Sequence, residues 1–213
     1  ANMNDSLPIA GPDAQPRSLR VLRAHDVARP LHGRERQLID LAAQAYLTHG
    51  RGQSCLPAAE ALRLPGQDRE RIVARPGYLG GAHPAAGIKW ISSFPDNLAK
   101  GLPRTAALIV LNSLETGRPT TVMEGSLITS QRTAASAALA ARVLHRQPSI
   151  GTLGLMGCGL IGREMLRFVL ADGCPVERIM LFDLHPDFTR SLVEALAASG
   201  FGGRIDVADS EAQ

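Results

Sequence analysis

Apolar positions along the chain change period twice, and the two changes divide it into three parts. The first nineteen residues, Ala1 to Leu19, carry three prolines and small polar residues with no hydrophobic period, which predicts a flexible arm. From there a short strand near Arg20–Arg23 leads to Asp26, and Leu38, Leu41, Ala42, Ala45 and Tyr46 recur at helical spacing, in a helix that His49-Gly50 closes. Between Leu62 and Glu124 the period shortens to that of strands. The predicted strands are Arg71–Ala74, Gly87–Ser92, Ala106–Leu111 and Pro119–Met123, with Glu115-Thr-Gly117 as a hairpin connection. An alanine-rich helix follows over about Thr129–His145, ended by Pro148, and joins this part to the last one.

At Gly151 the pattern becomes strand, glycine turn, helix, strand, helix. Thr152–Met156 is an apolar strand, Gly157-Cys-Gly-Leu-Ile-Gly162 is the turn, and a helix runs to about Ala171 with Met165 to Leu170 in the core. Arg178–Asp183 is the next strand, a helix spans Phe188–Ser199, and a strand lies near Arg204–Val207. This is the first half of a Rossmann unit. Gly157 permits the tight turn, Gly159 lets backbone approach a pyrophosphate, and Gly162 lets the helix pack closely on the strand. The backbone of Gly157 to Gly162, Leu160 and Ile161 included, is the expected cofactor cradle, with the positive end of the helix facing the phosphates. Taken alone, a G-x-G-x-x-G is as readily an ordinary glycine turn. Its place after a strand and before a helix favours dinucleotide binding, and so does Asp183, 24 positions after Gly159, where an acid bonds the adenosine ribose. An acid there repels a 2′-phosphate, so the expected cofactor is NAD, a preference that His185 or Arg190 could soften. Cys158, inside the turn, reads as a small filler. The chain reaches Gln213 with about half of a six-stranded unit, so the expectation is a dinucleotide-binding domain that is incomplete here.

Composition narrows the functional classes. At 45% hydrophobic over 213 residues the chain can build one large core or two small ones. No stretch approaches the roughly 18 consecutive apolar residues of a membrane span, and no leader with a cleavage site opens the chain. The net charge of +3 rests on 21 Arg and two Lys scattered without interleaved aromatics, which gives nucleic-acid binding little support. Cys55, Cys158 and Cys174 are odd in number and sit in no metal-ligand spacing; the reading is a cytoplasmic protein with no metal site. Against this background Lys89 stands out, lying between Ile88 and Trp90 in an apolar segment. By its own residues it reads first as a strand lysine whose stem covers apolar surface. Arg132 likewise reads as a helix-face arginine and Arg104 as a surface strand residue.

Five runs change that weighting. Gly87-Ile-Lys-Trp90, Phe94-Pro-Asp-Asn97, Leu111-Asn-Ser-Leu-Glu-Thr-Gly117, Glu124-Gly-Ser126 and Ser130-Gln-Arg-Thr-Ala-Ala135, followed by the glycine turn, resemble the ornithine cyclodeaminase/mu-crystallin family from about Leu19 onward. Within it, Pro76-Gly-Tyr-Leu-Gly-Gly81 and the Gly-Ile-Lys-Trp-Ile-Ser-Ser-Phe-Pro run look most like the siderophore-pathway branch that releases 2,3-diaminopropionate from N-(2-amino-2-carboxyethyl)-L-glutamate. The resemblance implies an α/β architecture: an arm at 1–19, an α+β substrate-binding and dimerisation domain over 20–146 ending in the connecting helix, and a Rossmann domain from 147 to 213. It implies a small amino-acid substrate and a homodimer.

The resemblance also implies roles. Lys89 matches the lysine that meets the substrate carboxylate and assists proton transfer, and Arg132, 43 positions on, matches the arginine at the start of the joining helix. Arg63 matches the upstream arginine that clamps the carboxylate, across a variable turn that leaves Arg69, Arg71 and Arg75 as competitors. Arg104 and Thr133 fall where members touch the cofactor phosphates, and the family's catalytic aspartate is expected beyond Gln213. A closed cleft needs paired charge for a carboxylate: arginine offers a bidentate fork and lysine a point charge whose pKa falls on burial. The implied reaction is NAD-dependent oxidation to an imine, hydrolysed to 2-oxoglutarate and 2,3-diaminopropionate. Ornithine cyclodeamination to proline and ammonia, a mu-crystallin-like cofactor-binding protein without turnover, and simple alanine dehydrogenation are the other readings.

Overall fold

The computed structural model describes residues 18–209. The expected arm at 1–19, but for its last two residues, lies outside the described residues. The first large unit is a mixed sheet. β1 (Arg20–Leu22) pairs parallel with β7 (Pro119–Glu124), and β7, β6 (Thr105–Asn112), β5 (Ala85–Ser93) and β4 (Arg71–Leu79) follow as an antiparallel meander. Two short strands, β2 (Ser54–Cys55) and β3 (Glu60–Leu62), share the outer edge of β4.

β4 runs five residues past the predicted stretch, through Pro76. β3 pairs with Ile72–Ala74 and β2 with Tyr78–Leu79, so Pro76 falls in the gap between them, where a strand tolerates a residue with no N–H. Pattern reading also misses α1 (Ala24–Leu31), whose eight residues bury Val27 alone and carry Pro30 in the last turn. A 3-10 turn at Pro95–Lys100 ends on Gly101, at φ 69°. In α2 (Glu35–Gly50) the fully buried residue is Ile39, whereas Leu41 and Tyr46, expected on the apolar face, are about half exposed.

The second sheet is parallel, in the order β10 (Arg204–Val207), β9 (Val176–Phe182), β8 (Ile150–Met156), with α4 (Leu160–Asp172) and α5 (Pro186–Ala198) as its crossovers. This is the strand order of the first half of a Rossmann unit. Leu166, Ile179, Leu181, Leu192 and Leu196 form its core.

α3 (Ser126–Leu144) starts three residues before the predicted helix, because Glu124 accepts the N–H groups of Ser126 and Leu127 and so caps it. A second core surrounds this helix, in which Ile39 of α2, Ala134, Ala135 and Ala138 of α3, Ile150 of β8 and Phe168 of α4 are buried together. The small alanine side chains bring α3 close to both neighbours. Arg142 ties the same joint, bonding Asp40 of α2 at 3.0 Å and forming a two-oxygen pair with Asp172 of α4, while Arg167 of α4 pairs with Glu35 of α2. α2 and α3 cover one face of the large sheet. The opposite face carries Trp90 and Leu108 side by side, both more than 40% exposed, with Val21 of β1 exposed beyond them. No helix of the described residues is long and apolar enough to cross a membrane.

Candidate functional site

Between α2, α3 and the covered face of the large sheet lies an open cleft of about 580 Å³. Strand register builds its floor: Arg75 of β4 lies opposite Lys89 of β5, which lies opposite Ile109 of β6. Side chains alternate along a strand, so these three share one face. Arg132, two turns into α3, faces the same space. Three cations therefore converge there, and no Asp or Glu of the described residues lines the cleft. Neither Arg75 nor Arg132 has an ion-pair partner among the described residues.

Lys89 is partly buried, and its Nζ donates to Oγ1 of Thr129 at 3.4 Å. Burial lowers its pKa to about 8, helped by repulsion from Arg132 and then Arg75. Lysine in this range exchanges a proton near neutral pH, which an ordinary surface lysine does not. Such a perturbed group beside cations with no ion pair among the described residues suits an anionic ligand and proton transfer.

Arg63 is elsewhere. It follows β3 on the sheet edge, exposed, with Nη1 donating to the carbonyl of Asp68 at 3.3 Å. The position expected of it beside Lys89 is held by Arg75, one of the competitors. Arg69 pairs with Asp96 at 3.0 Å on the surface, and Arg71 is exposed at the far end of β4. Arg104 is exposed just before β6, its carbonyl accepting the Phe94 N–H, and does not line the cleft. Thr133 is spent on its own helix, donating Oγ1 to the carbonyl of Thr129 at 2.7 Å. Two lining residues carried no sequence signal as site groups. Tyr46 donates to Oγ of Ser136 at 3.2 Å, and His49 is hydrogen-bonded to Ser54 at 2.7 Å.

The glycine turn sits apart, on the parallel sheet. Gly157 has φ 92°, a left-handed conformation, and its N–H donates to the carbonyl of Phe182. A Cβ on Gly162 would lie 1.9 Å from the carbonyl oxygen of Gly157, so only glycine lets α4 approach β8 this closely. A Cβ on Gly159 would meet no protein atom within 4 Å. That open space at the head of a 13-residue helix fits a phosphate-bearing cofactor, and Leu160 and Ile161 lead the backbone N–H groups there. Asp183 accepts the N–H of Cys158 at 2.6 Å and that of His185 at 2.8 Å. It thus fastens the turn to the end of β9, with carboxylate lone pairs left for ribose hydroxyls. Cys158 is fully buried and burial raises its thiol pKa, as a filler requires.

The chain is similar to several known proteins. The chain is 34% identical over 171 residues to the N-((2S)-2-amino-2-carboxyethyl)-L-glutamate dehydrogenase of Staphylococcus aureus, covering 78% of this chain and 51% of that protein. It is 37% identical over 176 residues to the alanine dehydrogenase of Archaeoglobus fulgidus, covering 81% and 51%. It spans about half the length of these curated relatives. An archaeal alanine dehydrogenase dimer with bound NAD superposes with a TM-score of 0.79 at 26% identity, over 91% of this chain and 57% of that one. The family model for ornithine cyclodeaminase/mu-crystallin matches residues 22–213, and the chain belongs to that family.

Proposed function

We propose that the whole protein oxidises N-(2-amino-2-carboxyethyl)-L-glutamate with NAD and releases 2-oxoglutarate and L-2,3-diaminopropionate, for siderophore or related biosynthesis. The observation that carries this reading is the convergence of Arg75, Lys89 and Arg132 on a cleft with no acid among the described residues. A substrate with three carboxylates against two amines suits that charge, whereas ornithine brings two ammonium groups and a single carboxylate to a wall that offers no acid among the described residues.

Arg75 and Arg132 hold the carboxylate beside the reacting carbon of the glutamate moiety. NAD, when bound at the glycine turn, is the hydride acceptor. As the α-hydrogen leaves with its electron pair, the amine nitrogen loses a proton and C=N forms. Lys89, poised near neutral, takes that proton and returns one to nitrogen when water adds across the imine and the C–N bond breaks. Substrate, NAD⁺ and water thus balance 2-oxoglutarate, 2,3-diaminopropionate, NADH and one proton.

Absorbance at the NADH band, with product identification, tests this on full-length protein given NAD and, separately, this substrate, ornithine and alanine. NADH and 2-oxoglutarate in equal amounts from the first alone are expected. Proline without NADH from ornithine would select cyclodeamination. NADH from alanine would select the simpler dehydrogenase, and cofactor binding without any product a mu-crystallin-like role.

The same reading makes the protein a homodimer. Its support is the uncovered sheet face: Trp90 and Leu108 form an exposed apolar strip on the side away from the cleft, and a second copy of that face is its occupant.

A further inference from the structure

The floor of the cleft is longer than one amino acid requires. Its residues fall in three rows two positions apart: Arg75 with Lys89, then Gly77 opposite Gly87, then Leu79 opposite Ala85. At about 3.3 Å per residue, the third row lies about 13 Å along the strands from the first. The middle row has no side chains, and neither position can acquire one freely. A Cβ on Gly77 would press on Leu56 at 3.1 Å, and one on Gly87 would meet the carbonyl oxygen of Val110 at 2.1 Å. The result is a trough with cations at one end and a bare middle.

At the other end Ser54 of β2 pairs with Leu79, and α2 delivers His49 from its last turn. Nδ1 of His49 is fixed by Oγ of Ser54 at 2.7 Å, while Nε2 has no protein partner among the described residues. Both residues line the cleft, whose wall between them and Lys89 is largely apolar. A ring held at one nitrogen and open at the other, at the end of an apolar trough, is a directional donor for an acceptor carried by a long ligand.

We propose that His49, oriented by Ser54, is a specificity-determining residue that receives a second carboxylate of the substrate at the end of the trough opposite Lys89. This rests on the dehydrogenase reading above. The carboxylate comes either from the diaminopropionate arm or from the glutamate side chain, both of which extend from the reacting carbon.

A cycle between ligand and protein tests it. Full-length wild type and His49→Ala are assayed with the parent substrate and two analogues, N-(2-aminoethyl)-L-glutamate and N-(2-amino-2-carboxyethyl)-L-2-aminobutyrate, each lacking one of those carboxylates. The expected result is a rise of about 10- to 100-fold in KM for the parent in His49→Ala, with kcat within about threefold. One analogue shows that penalty already on wild type and gains little more from the substitution. His49→Gln, which keeps a donor near the Nε2 position, recovers most of the loss. If His49→Ala leaves the parent KM unchanged, or weakens the parent and both analogues by one common factor, His49 is only a fastening between α2 and β2 and the inference is overturned. Absence of any parent turnover by wild type overturns the dehydrogenase reading and this inference with it.

Discussion

Replacing Arg75 by Met removes one cation from the floor of the cleft and leaves the strand intact. The substrate carboxylate then loses a charge-assisted contact worth about 1.5–3 kcal/mol, which at about 1.4 kcal/mol per decade raises KM roughly 10- to 150-fold. Arg75 also repels the Lys89 ammonium, so its loss lifts the Lys89 pKa above its present value of about 8. Lys89 works as a base in its neutral form, and the acid limb of the kcat/KM profile therefore moves to higher pH. Arg75 has no ion pair among the described residues to lose, so the thermal midpoint stays within a degree or two of wild type. Arg63→Met is the control: Arg63 lies on the sheet edge outside the cleft, hydrogen-bonded to the Asp68 carbonyl, and KM and profile stay within about twofold of wild type. The assay is steady-state NADH formation from pH 6 to 10 on the three proteins, with melting curves for each. A large KM effect in Arg63→Met together with a silent Arg75→Met would refute the assignment by strand register.

Other substitutions separate the remaining claims. Lys89→Met abolishes turnover by more than about 100-fold yet raises the melting temperature, since the fold no longer buries an ammonium between two guanidinium groups. A depressed lysine pKa costs stability fully below about pH 8 and not at all above 10.5, so the gain seen by calorimetry shrinks as pH rises through that window. Gly159→Ala melts like wild type but no longer binds NAD in a fluorescence titration, because the added methyl occupies space that is open in the protein; Gly162→Ala loses both, as its methyl meets the Gly157 carbonyl. Trp90→Glu or Leu108→Glu sediments as a monomer where wild type sediments as a dimer, and an unchanged sedimentation coefficient would remove the sheet face from the interface.

Much of this architecture is legible in the chain. Period-two runs locate β5, β6 and β7, and the glycine turn is readable because Gly157 and Gly162 are fixed by a backbone angle and by a helix–strand distance. The pair of cations on the cleft floor is not readable in the same way. Counting along the chain across a variable turn favours Arg63, but the cleft is assembled across strands, and Arg75 meets Lys89 only because β4 continues through Pro76. A proline inside an apolar run reads as an end, and only the gap between β2 and β3 makes it otherwise. Tyr46 and His49 are hidden for another reason. One fits the helical period and the other a helix terminus, and nothing in local pattern says that the helix face beneath them is a cavity wall.

The packing around α3 has a practical consequence. With Ile39, the three alanines and Phe168 in one buried cluster, and Arg142 bridging Asp40 and Asp172, a cut at the joining helix would, among the described residues, divide a single packed cluster. Chimeras that exchange the parallel sheet between relatives keep its own core but, if swapped at Pro148, replace Ile150, Phe168 and Val169, the partners that α2 and α3 bury in the shared cluster, so α2 and α3 are best carried along with it. The helix that a diagram would draw as a hinge is the axle to which both sheets are keyed.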